Sequence, residues 1–118
     1  MNFVYFGSFR MSADILEGLV SSGLTPLAVV CSPDRPQGRK QIMTAPAVKQ
    51  LIIERGWPIE ILQPTSTLEL EAISHKLKAF SCDLFVVMGY PKIIPKEIIT
   101  LPRLGTVGVH PSLLPKYR

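Results

Sequence analysis

With 118 residues, 47% of them hydrophobic, the chain is long enough for one domain with a buried core and too short for two. No uncharged apolar run approaches the roughly 20 residues that cross a bilayer, and the opening MNFVYFG lacks the charged start, apolar segment and cleavage site of a secretory signal, which leaves no membrane role and a cytoplasmic default. The net charge of +4 is unevenly spread: between Asp34 and Arg55 stand five basic residues (Arg35, Arg39, Lys40, Lys49, Arg55) against two acidic ones, so contact with an anionic polymer stands beside plain solvation of a surface.

In chain order, residues 2–6 (NFVYF) read as a first strand ending at Gly7. Residues 11–22 predict a helix with Met11, Ile15 and Leu19 as its apolar stripe, widened by Leu16 and Val20, and with Ser12 or a nearby polar residue starting the turn. A strand at 26–31 (PLAVVC) precedes a helix at 45–55, with Pro46 near its start, Val48, Leu51 and Ile52 on one face, and Gly56 and Pro58 as its stop. Residues 59–62 (IEIL) give a strand, and 68–80 a helix with Leu70, Ile73, Leu77 and Phe80 at threes and fours. Strands at 83–88 (DLFVVM) and 105–110 (GTVGVH) complete the series. Strands without strict alternation, separated by helices, indicate a parallel sheet covered on both faces: a Rossmann-like, doubly wound α/β domain. Ligands in such sheets bind beyond the carboxyl ends of the strands, which singles out residues 7–10, 32–44, 89–95 and those from His110 onward.

Gly7 stands alone where a dinucleotide fingerprint needs three glycines, and Phe9 and Ser12 hold the other two positions, which disfavours NAD. There is no nucleophile elbow, zinc-protease helix or P-loop. Cys31 and Cys82 lack metal-ligand spacing and read as buried thiols, His75 as solvated surface. His110 closes a strand before Pro111, which holds it extended with its imidazole at the sheet's carboxyl edge; position alone leaves structural and catalytic roles open.

Three segments carry a family resemblance. GTVGVHPSLLPKYR (105–118) resembles the His-x-Ser-Leu-Leu-Pro segment of the folate-dependent formyltransferases. CSPDRPQGRKQIMTAPAVK (31–49) and VVMGYPKIIPKEIITLPRLG (86–105) resemble the branch acting on methionyl-tRNA, whose PDRPxGR loop the glycinamide ribonucleotide and sugar-nucleotide branches do not share. The resemblance implies transfer of a formyl group from 10-formyltetrahydrofolate to the α-amine of initiator methionyl-tRNA, without a metal. His110 would stabilise the oxyanion and take a proton. Gly108 occupies the position where the family carries Asn, and the family's downstream Asp has no counterpart within these residues. By the same carry-over, Ser112, Leu113, Leu114 and Pro115 fall in the folate segment. Met88, Gly89, Tyr90, Ile93 and Ile94 fall at the pterin pocket, and Arg35, Arg39 and Lys40 in the tRNA-binding loop. The expectation is a single partial catalytic domain at 1–118 without the family's C-terminal domain, inactive alone and prone to self-association through an uncovered sheet edge. A non-catalytic folate- or RNA-binding remnant and a sugar-nucleotide formyltransferase are the alternatives.

Overall fold

Strand β1 (Phe3–Phe6) is apolar at every position because both of its faces are covered. Phe3 and Tyr5 enter one buried cluster, Val4 and Phe6 another. The computed structural model describes residues 1–109. Helix α1 (Arg10–Ser21), strand β2 (Ala28–Val30), the short strands β3 (Arg35–Gln37) and β4 (Ile42–Thr44), helix α2 (Ala47–Arg55) and strand β5 (Glu60–Leu62) follow. Helices α3 (Thr67–Ala72) and α4 (Ser74–Ala79), strand β6 (Leu84–Met88), the short helix α5 (Lys96–Ile99) and strand β7 (Thr106–Val109) complete the described chain.

The expected doubly wound parallel sheet is present, in the order β5–β2–β1–β6–β7. Register pairs Val4 with Ala28 and Phe85, Ala28 with Glu60, and Val87 with Gly108, all parallel. Leu16 of α1 with Val48 and Ile52 of α2 cover one face; Leu70, Leu77 and Ile98 cover the other. From β1 the chain winds outward through β2 to β5, then crosses back to β6 and β7. The reversal lies between β1 and β6, the place in such sheets beyond whose carboxyl edge ligands bind. No helix among the described residues is long and apolar enough to cross a membrane.

Three local expectations are corrected. Leu16 of the expected α1 stripe is buried and Leu19 and Val20 pack against the core, but Met11 and Ile15 are exposed, and Ser12 and Ala13 are buried in their stead. The Ser12 hydroxyl donates to the Met88 carbonyl at 2.6 Å, and the Tyr5 hydroxyl donates to the Ser12 carbonyl at 2.8 Å. A polar pin that an apolar count cannot see thus sets the rotation of the helix. The helix expected at 68–80 divides at Ile73, whose φ of −84° and ψ of 1° put it in the bridge region, and it starts earlier. Ser66 caps it by accepting from the Glu69 amide at 3.1 Å, while the Glu69 carboxylate accepts from the Thr65 amide at 2.8 Å. Finally, 32–44 is not an irregular loop: β3 and β4 pair antiparallel as a hairpin around a turn with Gly38 at φ 76° and Gln41 at φ 52°.

Candidate functional site

At the carboxyl edge of the sheet, two short loops meet. The Gly7 amide donates to the Val30 carbonyl at 3.0 Å, and the Ser8 amide to the Gly89 carbonyl at 3.1 Å. Ser12 closes the junction, since its hydroxyl accepts from the Phe9 amide at 3.2 Å while donating to Met88. A Cβ at Gly7 would lie 2.5 Å from the Met88 carbonyl oxygen, and one at Gly89, where φ is +71°, 2.6 Å from the Ser12 hydroxyl. Two glycines and a serine therefore let β1 and β6 leave the sheet in contact.

Beyond this junction Tyr90 packs edge-on against Phe6, with ring centroids 5.6 Å apart. Its hydroxyl is buried and has no hydrogen-bond partner among the described residues. Burial, with a smaller push from Cys31, drives the phenol up to about 12. Burial likewise drives the Cys31 thiol up to about 12 against the pull of Lys49, so both groups stay protonated at neutral pH.

The structure brings Met88, Gly89 and Tyr90 to one edge with Gly108, which lies on β7 beside Val87. The Met88 side chain is buried in the core with Phe3 and Tyr5, and the carbonyls of Met88 and Gly89 already accept protein hydrogen bonds. Ile94 packs against the cluster of Phe6 and Phe85, whereas Ile93 is 87% exposed and stands apart from it. His110, Ser112, Leu113, Leu114 and Pro115 lie outside the described residues.

The basic segment sorts into two groups. Arg35 on β3 and Arg39 and Lys40 in the hairpin turn are exposed and make no ion pair among the described residues. Lys49 donates to Asp34 at 3.0 and 3.2 Å and to the Gln63 side-chain oxygen Oε1 at 3.0 Å; Arg55 pairs with Glu17 and stacks over Trp57. The Gln63 amide donates to Asp34 at 2.7 Å and to the Ser32 carbonyl at 3.0 Å, which closes a polar network at the hairpin root. The Gln63 hydrogen bond and then Lys49 hold the Asp34 carboxyl below the usual carboxylate range.

A cavity of about 420 Å³ opens between the loop after β1 and the hairpin, lined at its floor by Ser8 and Ser32 and at its sides by Phe9, Pro33, Pro46 and Pro91. The Ser8 hydroxyl accepts from the Ser32 amide at 2.9 Å and lies 2.9 Å from the Ser32 hydroxyl. Sequence reasoning missed this serine pair, the network at Gln63 and the clamp at Ser12. Each joins residues far apart in sequence, and only the capping spacing of Ser66 and Glu69 left a local signal.

Residues 1–118 match the family model described as formyl transferase. The chain is 40% identical over 115 residues to a methionyl-tRNA formyltransferase from Bacillus licheniformis, covering 98% of this chain and 35% of that protein. It is 42% identical over 118 residues to one from Nitratiruptor and 41% to one from Methylococcus capsulatus, covering 38% and 37% of those proteins. It thus spans little more than a third of the curated relatives it matches. Among solved structures, glycinamide ribonucleotide transformylase 1 from Symbiobacterium toebii superposes with a TM-score of 0.65 over 98% of this chain and 53% of that one; at 18% identity this likeness concerns the fold.

Proposed function

Because the chain belongs to the formyl transferase family, we propose that it carries the front part of a catalytic domain that moves a formyl group from 10-formyltetrahydrofolate to the α-amine of initiator methionyl-tRNA in the cytoplasm. The observation that carries this reading is the partnerless Tyr90 hydroxyl at the carboxyl edge of the sheet, beside the reversal between β1 and β6. There the Tyr90 hydroxyl, without a partner among the described residues, and Ile94 suit a flat heteroaromatic ring that needs an apolar wall and a polar handle. Ser112, Leu113, Leu114 and Pro115 extend this folate wall in the reading, and Arg35, Arg39 and Lys40 meet RNA phosphates.

The folate supplies an activated formyl carbon. His110 follows β7 directly and is assigned the reacting position: as imidazolium it stabilises the negative charge that gathers on the formyl oxygen, and as imidazole it takes the proton the amine loses. The new C–N bond to the methionyl amine forms as the bond to the folate nitrogen breaks, and that nitrogen recovers a proton. Gly108 supplies no side-chain donor at the neighbouring position; loss of one such donor commonly costs about 10²- to 10³-fold in rate.

The test joins residues 1–118 to the remaining C-terminal part of the Bacillus licheniformis relative and measures transfer of labelled formyl to methionyl-tRNA. Turnover that falls at least ~10²-fold in His110→Ala is expected. Equal rates for the two would remove His110 from the reaction, and preference for a UDP-amino sugar would redirect the acceptor. Gly108 favours a second reading, a folate- or RNA-binding module without turnover, supported if the 118-residue chain binds a 10-formyltetrahydrofolate analogue saturably while the chimaera stays inactive.

A further inference from the structure

Gln63 follows β5 and precedes the buried Pro64, which disfavours a helical turn at residue 63. The Leu62 carbonyl accepts from the Cys31 amide at 2.9 Å, so the end of β5 is tied to the end of β2, from which the hairpin departs. The Gln63 side chain lies across the root of that hairpin. Its Nε2 donates to the Ser32 carbonyl at 3.0 Å and to Asp34 Oδ1 at 2.7 Å, both on the segment that enters β3. Its Oε1 accepts at 3.0 Å from Nζ of Lys49, on the helix that follows β4. One amide thereby grips both ends of the ribbon.

These contacts require an amide. Both of its donor protons and its oxygen are used, whereas a carboxylate at 63 would set an oxygen against the Ser32 carbonyl and Asp34. The Lys49 ammonium spends two protons on Asp34 and its third on Gln63, so its charge is committed to the root although it lies in the basic segment. The ribbon itself has little else to orient it. β3 and β4 pair only with each other, and every residue of the two strands except Thr44 is exposed. Its turn is closed from within, where Gln41 Nε2 donates to the Gly38 carbonyl at 2.8 Å.

We propose that Gln63 is a positioning residue for RNA binding: without touching RNA it orients Arg35, Arg39 and Lys40 by fixing the entry and the exit of the hairpin together. The inference rests on the reading that these three side chains meet RNA phosphates. It adds a division of labour within the basic segment, in which Arg35, Arg39 and Lys40 make the phosphate contacts and Lys49 serves the root. Guanidinium–phosphate pairs are directional, so a ribbon released at its root loses contacts without losing charge.

The test follows, by fluorescence anisotropy over a range of salt, the binding of a labelled initiator-tRNA acceptor-stem RNA to the 118-residue chain. Gln63→Met, the Arg35→Gln/Arg39→Gln/Lys40→Gln hairpin variant and the combination of the two run in parallel, with circular dichroism as the check of folding. Methionine matches glutamine in length and offers no donor. Gln63→Met is expected to bind about 5-fold more weakly and to lower the salt slope by about 1, the mark of a lost phosphate contact, although no charge is removed. A role in stability alone would leave both quantities unchanged in the folded variant. The hairpin variant is expected to lose at least ~10-fold. Adding Gln63→Met to it should change affinity by less than about twofold, because nothing remains to be oriented. Gln63→Glu, which keeps the shape and the acceptor oxygen, should lose as much as Gln63→Met and decides the matter if the methionine variant does not fold. The proposal is overturned if the Gln63 variant binds with unaltered affinity and salt slope, or if its loss is undiminished in the hairpin variant. Wild-type affinity in the hairpin variant would remove the RNA reading of the hairpin and the proposal with it. A loss there without one at Gln63 sinks the positioning role alone.

Discussion

Replacing Ser12 with alanine isolates the clamp between β1 and β6. The side chain is fully buried, and its hydroxyl serves the Met88 carbonyl at 2.6 Å and the Phe9 amide at 3.2 Å. Alanine keeps the Cβ, so the cost comes from the partners left unmade rather than from a void. A buried polar group stripped of its partner costs about 1–3 kcal/mol. The Met88 carbonyl is deeply placed and takes the upper part of that range; the Phe9 amide, at a partly exposed helix start, takes the value of a lost cap, about 1 kcal/mol. A total of roughly 2–4 kcal/mol follows, a large share of the ~5–15 kcal/mol available to a small domain. Urea unfolding should show a lower midpoint at an unchanged m-value. Ser22→Ala, which removes an exposed hydroxyl donating to the Gly18 carbonyl at 2.9 Å, serves as the control. Its effect should stay within ~0.5 kcal/mol. Equal midpoint shifts in the two variants would refute the clamp.

Gly89→Ala places a methyl 2.6 Å from the Ser12 hydroxyl at a φ of +71° and should cost about 1–3 kcal/mol. In the Ser12→Ala background part of that clash disappears, so the double variant should lose at least ~0.5 kcal/mol less than the sum of the singles, and strict additivity would contradict the contact. Tyr90→Phe removes a hydroxyl without a partner, so stability should be unchanged or rise by up to ~1 kcal/mol while affinity for the folate analogue falls about fivefold; a marked loss of stability would reveal a partner in the fold. Asp83 is held below the usual carboxylate range by the Asn2 amide and then by Arg103. A depressed folded pKa gives stabilisation that is complete above the unfolded value near ~4 and is lost as pH falls through the folded value. The stability gap between the wild-type chain and Asp83→Asn at pH 7 should therefore close on acidification; a gap constant with pH would refute the assignment.

The sheet was legible because burial on both faces writes itself as unbroken apolar runs, and because Pro46 and the left-handed Gly56 mark both ends of α2. The hairpin was hidden for the complementary reason. Its strands are short and largely solvent-exposed, and Pro36 argues against a strand unless the strand is an edge. On α1, Leu16, Leu19 and Val20 turn inward as their spacing predicts, while Met11 and Ile15 do not, because the Ser12 hydroxyl rather than the tally of apolar side chains holds the first turn. Met88, Gly89, Tyr90 and Gly108 reach one edge as the strand order requires. Ile93 does not, because it follows the loop out into solvent. Ser8 with Ser32, and Asp34 with Gln63, are separated by 24 and 29 positions and meet through crossovers that no local pattern records.

The network at the hairpin root makes the ribbon a lever. Three extended residues carry the turn roughly 10 Å from its base, so a tilt of about a tenth of a radian moves Arg39 and Lys40 by ~1 Å, enough to exchange one hydrogen-bonded alignment for another. Gln63 resists that tilt from the residue after β5, at the far edge of the sheet, by holding Ser32 and Asp34 at once and accepting from Lys49. The aim of the basic tip is therefore set at a position that carries no charge and touches none of the arginines it governs.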